Sequence, residues 1–230
     1  MQGNPISASP EKRKFNFRFW VVLFIFVGPA LTYIILTNFT ATKCKPLVIL
    51  RNEDSTVHTI PNFRFLTQNG TDFTQDSLKK TYHVANFVFT TCPGICIPLS
   101  KKFTELQEEL KDSRKVRLIS YSVDPAHDTP QVLHAYAQKH KAIPGKWIFL
   151  TGNEDEMFRI VKDGYKQAVL KTPEGKERIT HSERVVLVDK DLRIRGFYNI
   201  LDGEIGEKEF KRLTEEINVL DCEYREKEKE

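Results

Sequence analysis

The chain has 230 residues, of which 35 are lysine or arginine, 31 are aspartate or glutamate, and four are cysteine. This length suits one domain with an appendage, or two small domains. A composition that is 40% hydrophobic argues against wholesale disorder, and four cysteines are too few for a disulfide scaffold. The first 40 residues hold four basic groups and one acidic group, which leaves 31 basic and 30 acidic groups in the rest. Such a near-neutral body lacks the basic footprint of a nucleic-acid-binding protein, so we expect no nucleic-acid partner.

An uncharged, apolar segment follows the basic N-terminus. Residues 19–36 read FWVVLFIFVGPALTYIIL, and a helix of this length rises about 27 Å, close to the thickness of a bilayer core. We therefore predict an uncleaved transmembrane anchor over residues 19–39. A cleaved signal peptide is the rival interpretation, but Thr-Ala-Thr-Lys is a poor cleavage site. A lipoprotein attached through Cys44 is also disfavoured, because Lys43 occupies the position of a small residue.

The charge distribution around this segment predicts its orientation. Lys12, Arg13, Lys14 and Arg18 precede the apolar run, and basic residues favour the cytoplasmic side of a membrane. Residues 1–18 are then a cytoplasmic segment, residues 40–56 a linker, and the body lies on the other side. The simplest interpretation is a bacterial inner-membrane protein with a periplasmic domain, a compartment that permits disulfides.

Periodicity and turn signals predict the elements of the body. In chain order these are a β-hairpin around Asn69-Gly70, a buried strand over 83–90, a helix containing Leu99, Phe103, Leu106 and Leu110, a strand over 116–123, a helix from Pro130 to about Lys139, a strand over 147–150, a helix from Glu154 to about Val161, antiparallel strands over 184–189 and 193–199, and a helix containing Phe210, Leu213, Ile217 and Leu220. This order predicts an α/β fold, a mixed sheet with helices on both faces. Cysteines between the first core strand and the first helix are typical of the thioredoxin-like arrangement, which we place over residues 57–221, before a charged tail over 222–230.

The segment VFTTCPGICIPL carries the chemistry. Cys92 and Cys96 stand where a buried strand ends and a helix begins, and a helix N-terminus favours thiolate over thiol. Two thiolates this close either form a disulfide or chelate a soft metal. Thioredoxin-type oxidoreductases generally use CxxC; one more residue widens the loop, which favours both sulfurs on one ion. Cu(I) is the soft ion that accepts such a set.

A third ligand to such an ion is expected to be a histidine. His58 and His83 belong to strand segments, and His134 and His140 to the surface of a helix. His127 lies in a turn and is a lesser candidate. His181 lies in the loop KTPEGKERITHSE, immediately before the strand RVVLVD, and such a loop can lie over the mouth of the cysteine turn.

Three segments together resemble the Sco/SenC family of copper-binding assembly factors for cytochrome c oxidase. They are TTCPGIC, SYSVDPAHDTPQVLHAYA and HSERVVLVDKDLRIRGFYN, and the resemblance extends over about residues 57–220. It implies that Cys92, Cys96 and His181 bind copper, as Cu(I) or Cu(II), and that the two cysteines are also a redox-active pair. Asp124 matches an acidic position that the family keeps near the site, where it supports the ligands or docks a partner. One departure is that Ile97 separates the second cysteine from Pro98, which shifts the expected helix start by one residue.

The resemblance leaves two leading functions open. The first is a membrane-anchored copper chaperone that delivers the ion to the dinuclear copper site of an oxidase subunit. The second is an enzyme, a thiol-disulfide oxidoreductase that reduces the oxidase's copper-site cysteines and is itself served by a thioredoxin-like reductant. His181 separates them, because ligand exchange needs it and dithiol chemistry does not. A peroxidase is a less favoured third function, since fold alone does not define the chemistry.

Two further cysteines flank the predicted domain. Cys44 and Cys222 are able to form a second disulfide in an oxidising compartment. Closing so long a loop stabilises a fold when the geometry allows it. We nevertheless expect two exposed free thiols.

Overall fold

The computed structural model describes residues 17–40, 44–171, 177–179 and 183–228. The chain divides into two compact units, Met1–Cys44 and Lys45–Glu230. In the first unit, helix α1 covers Phe17–Thr40 and contains Pro29. Among the residues that the structure describes, no helix is both long enough and apolar enough to cross a membrane. The anchor over residues 19–39 stays a prediction.

The second unit is built on a sheet of seven strands. A separate two-stranded hairpin lies between the fifth and the eighth strand in chain order. The described strands are β1 (Arg64–Thr67), β2 (Asp72–Thr74), β3 (Tyr82–Val88), β4 (Val116–Ser122), β5 (Trp147–Thr151), β6 (Val169–Lys171), β7 (Glu177–Ile179), β8 (Arg184–Val188) and β9 (Ile194–Asn199). The large sheet has the order β2-β1-β5-β4-β3-β8-β9, and β6 pairs with β7. The hairpin predicted around Asn69-Gly70 is confirmed as β1 and β2.

The centre of the sheet is parallel and brings two loops together. β3, β4 and β5 are parallel neighbours, and antiparallel strands flank them on both sides. Val88, the last residue of β3, lies opposite Ser122, the last residue of β4. The loop that leads to Cys92 and the turn that contains Asp124 therefore leave the sheet at the same edge. Edges of this kind are where α/β proteins commonly bind ligands.

Helices cover both faces of the sheet, as predicted. They are α2 (Cys96–Glu109), α3 (Pro130–Lys139), α4 (Glu154–Arg159) and α5 (Gly203–Lys227). Apolar side chains of α2, α3 and α5 pack on one face, with Leu99, Leu133 and Leu213 fully buried there. Met157 of α4 packs on the other face against a second apolar cluster. The order β3–α2–β4–α3–β5 gives the thioredoxin-like α/β fold.

Some elements differ from the expected ones, among them β6, which was not predicted. α4 ends at Arg159 and continues as a π-helical segment over Ile160–Gly164. α5 extends to Lys227, so most of the charged tail is helical. The ammonium group of Lys227 lies 2.9 Å from the carboxylate of Glu223, one helical turn earlier. Part of the segment expected to be a loop before β8 forms β7, a strand too short and too polar to show an alternating apolar pattern.

The segment expected to be a linker contacts the outer strand of the sheet. The N–H of Leu50 donates to the carbonyl of Ile194 in β9 at 3.1 Å. The buried guanidinium of Arg195 donates to the carbonyls of Leu47 and Val48. An edge strand exposes unpaired backbone groups, and this segment pairs with some of those of β9. Side-chain-to-backbone contacts of this kind leave no periodic pattern in the sequence.

The flanking cysteines correct one expectation. Cys44 and Cys222 are both disulfide-bonded, and Cys92 and Cys96 are free thiols. The expectation of two exposed free thiols at the flanks is therefore wrong. The sequence could not decide this, because a disulfide requires a close approach of the two Cα atoms that sequence spacing does not encode.

Candidate metal centre

The cysteine pair lies between β3 and α2, where the sequence placed it. Cys92 is in the turn after β3, and its N–H donates to the carbonyl of Phe89 at 3.1 Å. Cys96 is the first residue of α2. Both are buried, with 6% and 2% of their surfaces exposed. Pro98 falls in the first turn of α2, where backbone N–H groups have no intrahelical acceptor, so its lack of an N–H costs little.

The two thiols have unequal environments. Burial raises the pKa of Cys92, but hydrogen bonds from the Cys96 thiol and the Cys96 backbone N–H outweigh burial and lower the pKa below its ordinary value. The backbone N–H groups of Gly94 and Ile95 add to this effect. Burial raises the pKa of Cys96 to about 12, and the charges of Cys92 and Asp128 contribute in the same direction. Cys92 is therefore the more acidic thiol of the pair, and Cys96 is the one that retains its proton.

A buried carboxylate that the sequence analysis did not single out supports this site. Asp128 is fully buried and accepts hydrogen bonds from the Thr90 N–H at 3.1 Å and from the Thr90 hydroxyl. It also accepts from the Ser122 hydroxyl at 2.6 Å. These donors fit the ionised, acceptor-only form of the carboxylate. Asp128 thereby joins the loop that leads to Cys92 to the end of β4 and to the start of α3.

A buried tyrosine of α3 belongs to the surroundings of the thiol pair. This residue is Tyr136, and its hydroxyl lies 2.9 Å from the hydroxyl of Ser100 in α2. Burial raises the pKa of Tyr136, and the charges of Cys96, Cys92 and Asp128 raise it further. The phenol is therefore neutral and close enough to both cysteines to feel their charge. Tyr136 and the two cysteines belong to the same buried apolar cluster.

The structure separates the candidate histidines. His83 is buried in β3 with Nε2 2.9 Å from the hydroxyl of Tyr165, and His58 is buried with Nε2 2.7 Å from the carbonyl of Gly164. His134 is exposed on α3, and His140 ends that helix. None of these four has a described contact with the thiol pair.

His127 and Asp124 lie in the turn that follows β4. His127 Nδ1 is 3.0 Å from Asp128 Oδ1, so the lesser of the two histidine candidates lies beside the buried carboxylate. The Asp124 N–H donates to the Ser122 hydroxyl at 3.2 Å, and its carbonyl accepts from the N–H groups of His127 and Asp128. Among the described residues, the Asp124 carboxylate has no hydrogen bond. Asp124 therefore shapes the turn through its backbone.

His181 lies outside the described residues. The strand that follows it is described: Ala85 of β3 lies opposite Val186 of the antiparallel β8. β8 therefore begins, at Arg184, near the edge of the sheet at which β3 ends. This is the edge from which the chain continues to Cys92.

Comparison with known proteins identifies the family. A thioredoxin-like fold with two free thiols at a helix N-terminus defines a class of dithiol proteins. Within that class, the sequence profile of the family described as SCO1/SenC matches residues 51–214. The SCO1 protein homolog of Bacillus subtilis (strain 168) is 34% identical over 149 residues, which are 64% of this chain and 77% of the relative. The chain belongs to the SCO1/SenC family.

Solved structures of this family share the fold. BsSco, described as a member of the Sco family of cytochrome c oxidase assembly proteins with a disulfide switch, is 28% identical with a TM-score of 0.62. The match covers 78% of this chain and 98% of BsSco. ScoI of Bradyrhizobium japonicum, solved with copper bound, is 27% identical with a TM-score of 0.53, over 67% of this chain and 98% of ScoI.

The unequal thiols predict selective alkylation of the metal-free, reduced pair. At neutral pH iodoacetamide should modify Cys92 and spare Cys96, because only the thiolate reacts and the pKa of Cys96 is about 12. Since the pKa of Cys92 is lowered, its reactivity should persist to lower pH and fall only as the pH drops through that pKa. Peptide mapping by mass spectrometry across a pH series measures both rates.

Cys96→Ala is the matched control for this prediction. It removes the thiol that hydrogen-bonds the Cys92 sulfur, so the midpoint of Cys92 alkylation should move to higher pH. The unfolded chain supplies the reference for an ordinary cysteine. A Cys92 midpoint at or above that reference contradicts the assigned environment.

Proposed function

We propose that this protein is a copper chaperone for cytochrome c oxidase. It binds one copper ion through Cys92 and Cys96 and passes it to the dinuclear copper site of an oxidase subunit by ligand exchange. The observation that carries this proposal is the pair of buried free thiols at the N-terminus of α2. The copper bound to the related ScoI of Bradyrhizobium japonicum supports the choice of ion.

The donor set suits Cu(I), which is the cargo. Thiolates are soft ligands that select Cu(I) among the common ions. Hydrogen bonds from the groups around Cys92 favour its thiolate form, whereas Cys96 retains its proton until the ion arrives. Binding therefore releases a proton from Cys96, as metal binding to a protonated thiol requires. Low exposure of both sulfurs protects the bound ion from water and oxidants.

His181 is the proposed third ligand. It precedes β8, which begins near the edge of the sheet from which the chain continues to Cys92. An imidazole completes a three-donor set with the two sulfurs and suits Cu(II) as well as Cu(I). Asp124, in the turn at the same edge, is proposed to support this ligand set or to dock the oxidase subunit.

One Cu(I) ion per chain is the expected stoichiometry of the reduced protein under anaerobic conditions. The Cys92→Ser/Cys96→Ser variant should lose this ion, because hydroxyls are poor ligands for a soft cation. Copper analysis after gel filtration with a Cu(I) chelator present measures the bound fraction. Equal retention by the double variant would overturn the copper site.

We also propose that residues 19–39 anchor the chain in a bacterial inner membrane, with the domain on the periplasmic side. The large apolar side chains of α1 support an apolar surrounding, since Phe24 and Phe26 are 81% and 74% exposed. The basic residues before them favour a cytoplasmic N-terminus. A periplasmic location also agrees with the disulfide-bonded state of Cys44 and Cys222.

Reporter fusions test this topology. Alkaline phosphatase, which needs an oxidising compartment to fold, should be active when it is fused after residue 56. A fusion after residue 18 lacks the apolar segment and is the matched control, which should be inactive. A fusion after residue 56 that is as inactive as the control rejects the proposed orientation.

A thiol-disulfide oxidoreductase is the second candidate, and the unequal thiols favour it. Cys92, as thiolate, attacks a disulfide of the oxidase subunit and forms a mixed disulfide with it. Cys96 then attacks the Cys92 sulfur of this mixed disulfide and releases the oxidase cysteines as a dithiol. Two electrons and two protons pass to the oxidase cysteines while a Cys92–Cys96 disulfide forms. A thioredoxin-like reductant would restore the dithiol. Both candidate functions use the same two sulfurs, so only the histidine distinguishes them.

Oxidase maturation in cells separates the two functions. His181→Ala leaves both thiols in place, so a reductase should mature the oxidase at the wild-type level. A chaperone should lose maturation, because the ion loses one of three donors and is held more weakly. Oxidase activity in cells that carry only the His181→Ala form is compared with that in cells carrying Cys92→Ser. Full activity of the histidine variant, with none in the cysteine variant, would transfer the assignment to the reductase.

A further inference from the structure

A histidine that the proposed function leaves unused lies beside the thiol pair. The side chain of His127 is 51% exposed, and its Nδ1 lies 3.0 Å from Asp128 Oδ1 and 3.3 Å from Thr90 Oγ1. The ionised carboxylate only accepts hydrogen bonds, so Nδ1 carries the hydrogen. In the neutral ring this tautomer leaves a lone pair on Nε2. Among the described residues, that nitrogen has no hydrogen-bond partner.

This arrangement is the one that metal-binding histidines adopt. Such a histidine donates its other ring N–H to a carboxylate or carbonyl, which fixes the ring and makes the ligating nitrogen more basic. Here the carboxylate is itself fixed, because Asp128 is fully buried and accepts from Thr90 and Ser122. The imidazole is thus oriented by a carboxylate whose own position is fixed by hydrogen bonds.

His127 contacts two residues that lie close to the thiol pair. Thr90, whose hydroxyl lies against the imidazole, is two residues before Cys92, so their Cα atoms are at most about 7.6 Å apart. Asp128, the partner of the ring, is close enough to Cys96 for its charge to raise the pKa of that thiol. The cysteines are buried and the imidazole is half exposed. The solvent-exposed imidazole is thus joined, through Thr90 and Asp128, to the surroundings of the buried sulfurs.

We propose that His127 is an accessory copper ligand, which binds the ion through Nε2 as it enters or leaves the Cys92–Cys96 pair. This inference rests on the proposed function. During exchange, the bond between copper and Nε2 forms as one bond between copper and a resident donor breaks. Copper keeps its oxidation state, and the ring keeps its proton on Nδ1. The ion then always retains two or more donors, which lowers the barrier to transfer without changing the final site.

The rates of copper loading and release test this role in the full-length protein. His127→Gln removes the ring but keeps an amide N–H that can donate to Asp128, and His127→Asn is a second, shorter variant. Both should slow Cu(I) transfer to a competing chelator, and Cu(I) uptake by the metal-free protein, by about tenfold. The equilibrium affinity for Cu(I) should stay at the wild-type value, because the resident donors are intact.

His134→Gln is the matched control, because His134 is also an exposed histidine and its Nδ1 contacts Asn69, remote in the chain from the cysteine turn. Its rates should equal those of the wild type. Wild-type rates in both His127 variants overturn the inference, and so does an equal slowing in His134→Gln. Equal losses of affinity and rate would make His127 a resident ligand and would overturn it too. Failure of the wild-type protein to bind copper would instead overturn the proposed function.

Discussion

The buried carboxylate of Asp128 holds together the two loops on which the thiol site depends. Thr90 donates to it from the loop after β3, and Ser122 donates from the end of β4. The parallel register of these strands brings both loops to one edge, but register alone does not fix how the loops sit. A buried hydrogen-bonding group left without its partner costs about 1–3 kcal/mol, so separating the loops is unfavourable. The turn that carries Cys92 is therefore held against the start of α3.

A rigid turn explains why the two sulfurs differ. The Cys92 sulfur accepts hydrogen bonds from N–H groups of the turn and of the first residue of α2. The Cys96 sulfur is more deeply buried and lies close to the charge of Asp128. The backbone that favours a thiolate at one sulfur thus comes with a carboxylate that disfavours it at the other. Such a pair can bind a cation by releasing the proton of Cys96, or attack a disulfide through Cys92, the sulfur that ionises more readily. The environment of the thiols therefore accommodates both candidate functions, and the remaining donors decide between them.

The sequence predicted the fold where burial produces a periodic pattern. β3 and β4 are buried on both faces and are rich in apolar and strand-favouring residues, and α3 begins at Pro130 as its turn signal indicates. β7 was missed because a three-residue strand with two charged residues carries no such pattern. Asp128 was missed because Thr90 is 38 residues away in the chain. The spacing within DPAHDTP does not show which of its two aspartates turns inward; Asp128 does so, while Asp124 acts through its backbone.

The carboxylate of Asp128 contacts both the cysteine loop and the proposed accessory ligand His127. Asp128 is joined to the cysteine loop through Thr90 and to the half-exposed imidazole of His127, so its loss would disturb the sulfurs and the histidine together. The imidazole itself lies outside the buried pair, and changing it leaves the hydrogen bonds from Thr90 and Ser122 to the carboxylate in place. Under the proposed function, affinity depends on donors that are desolvated and fixed, and rate depends on a donor that solvent still reaches. A chaperone that holds copper and yet releases it would gain from placing these two properties on different side chains.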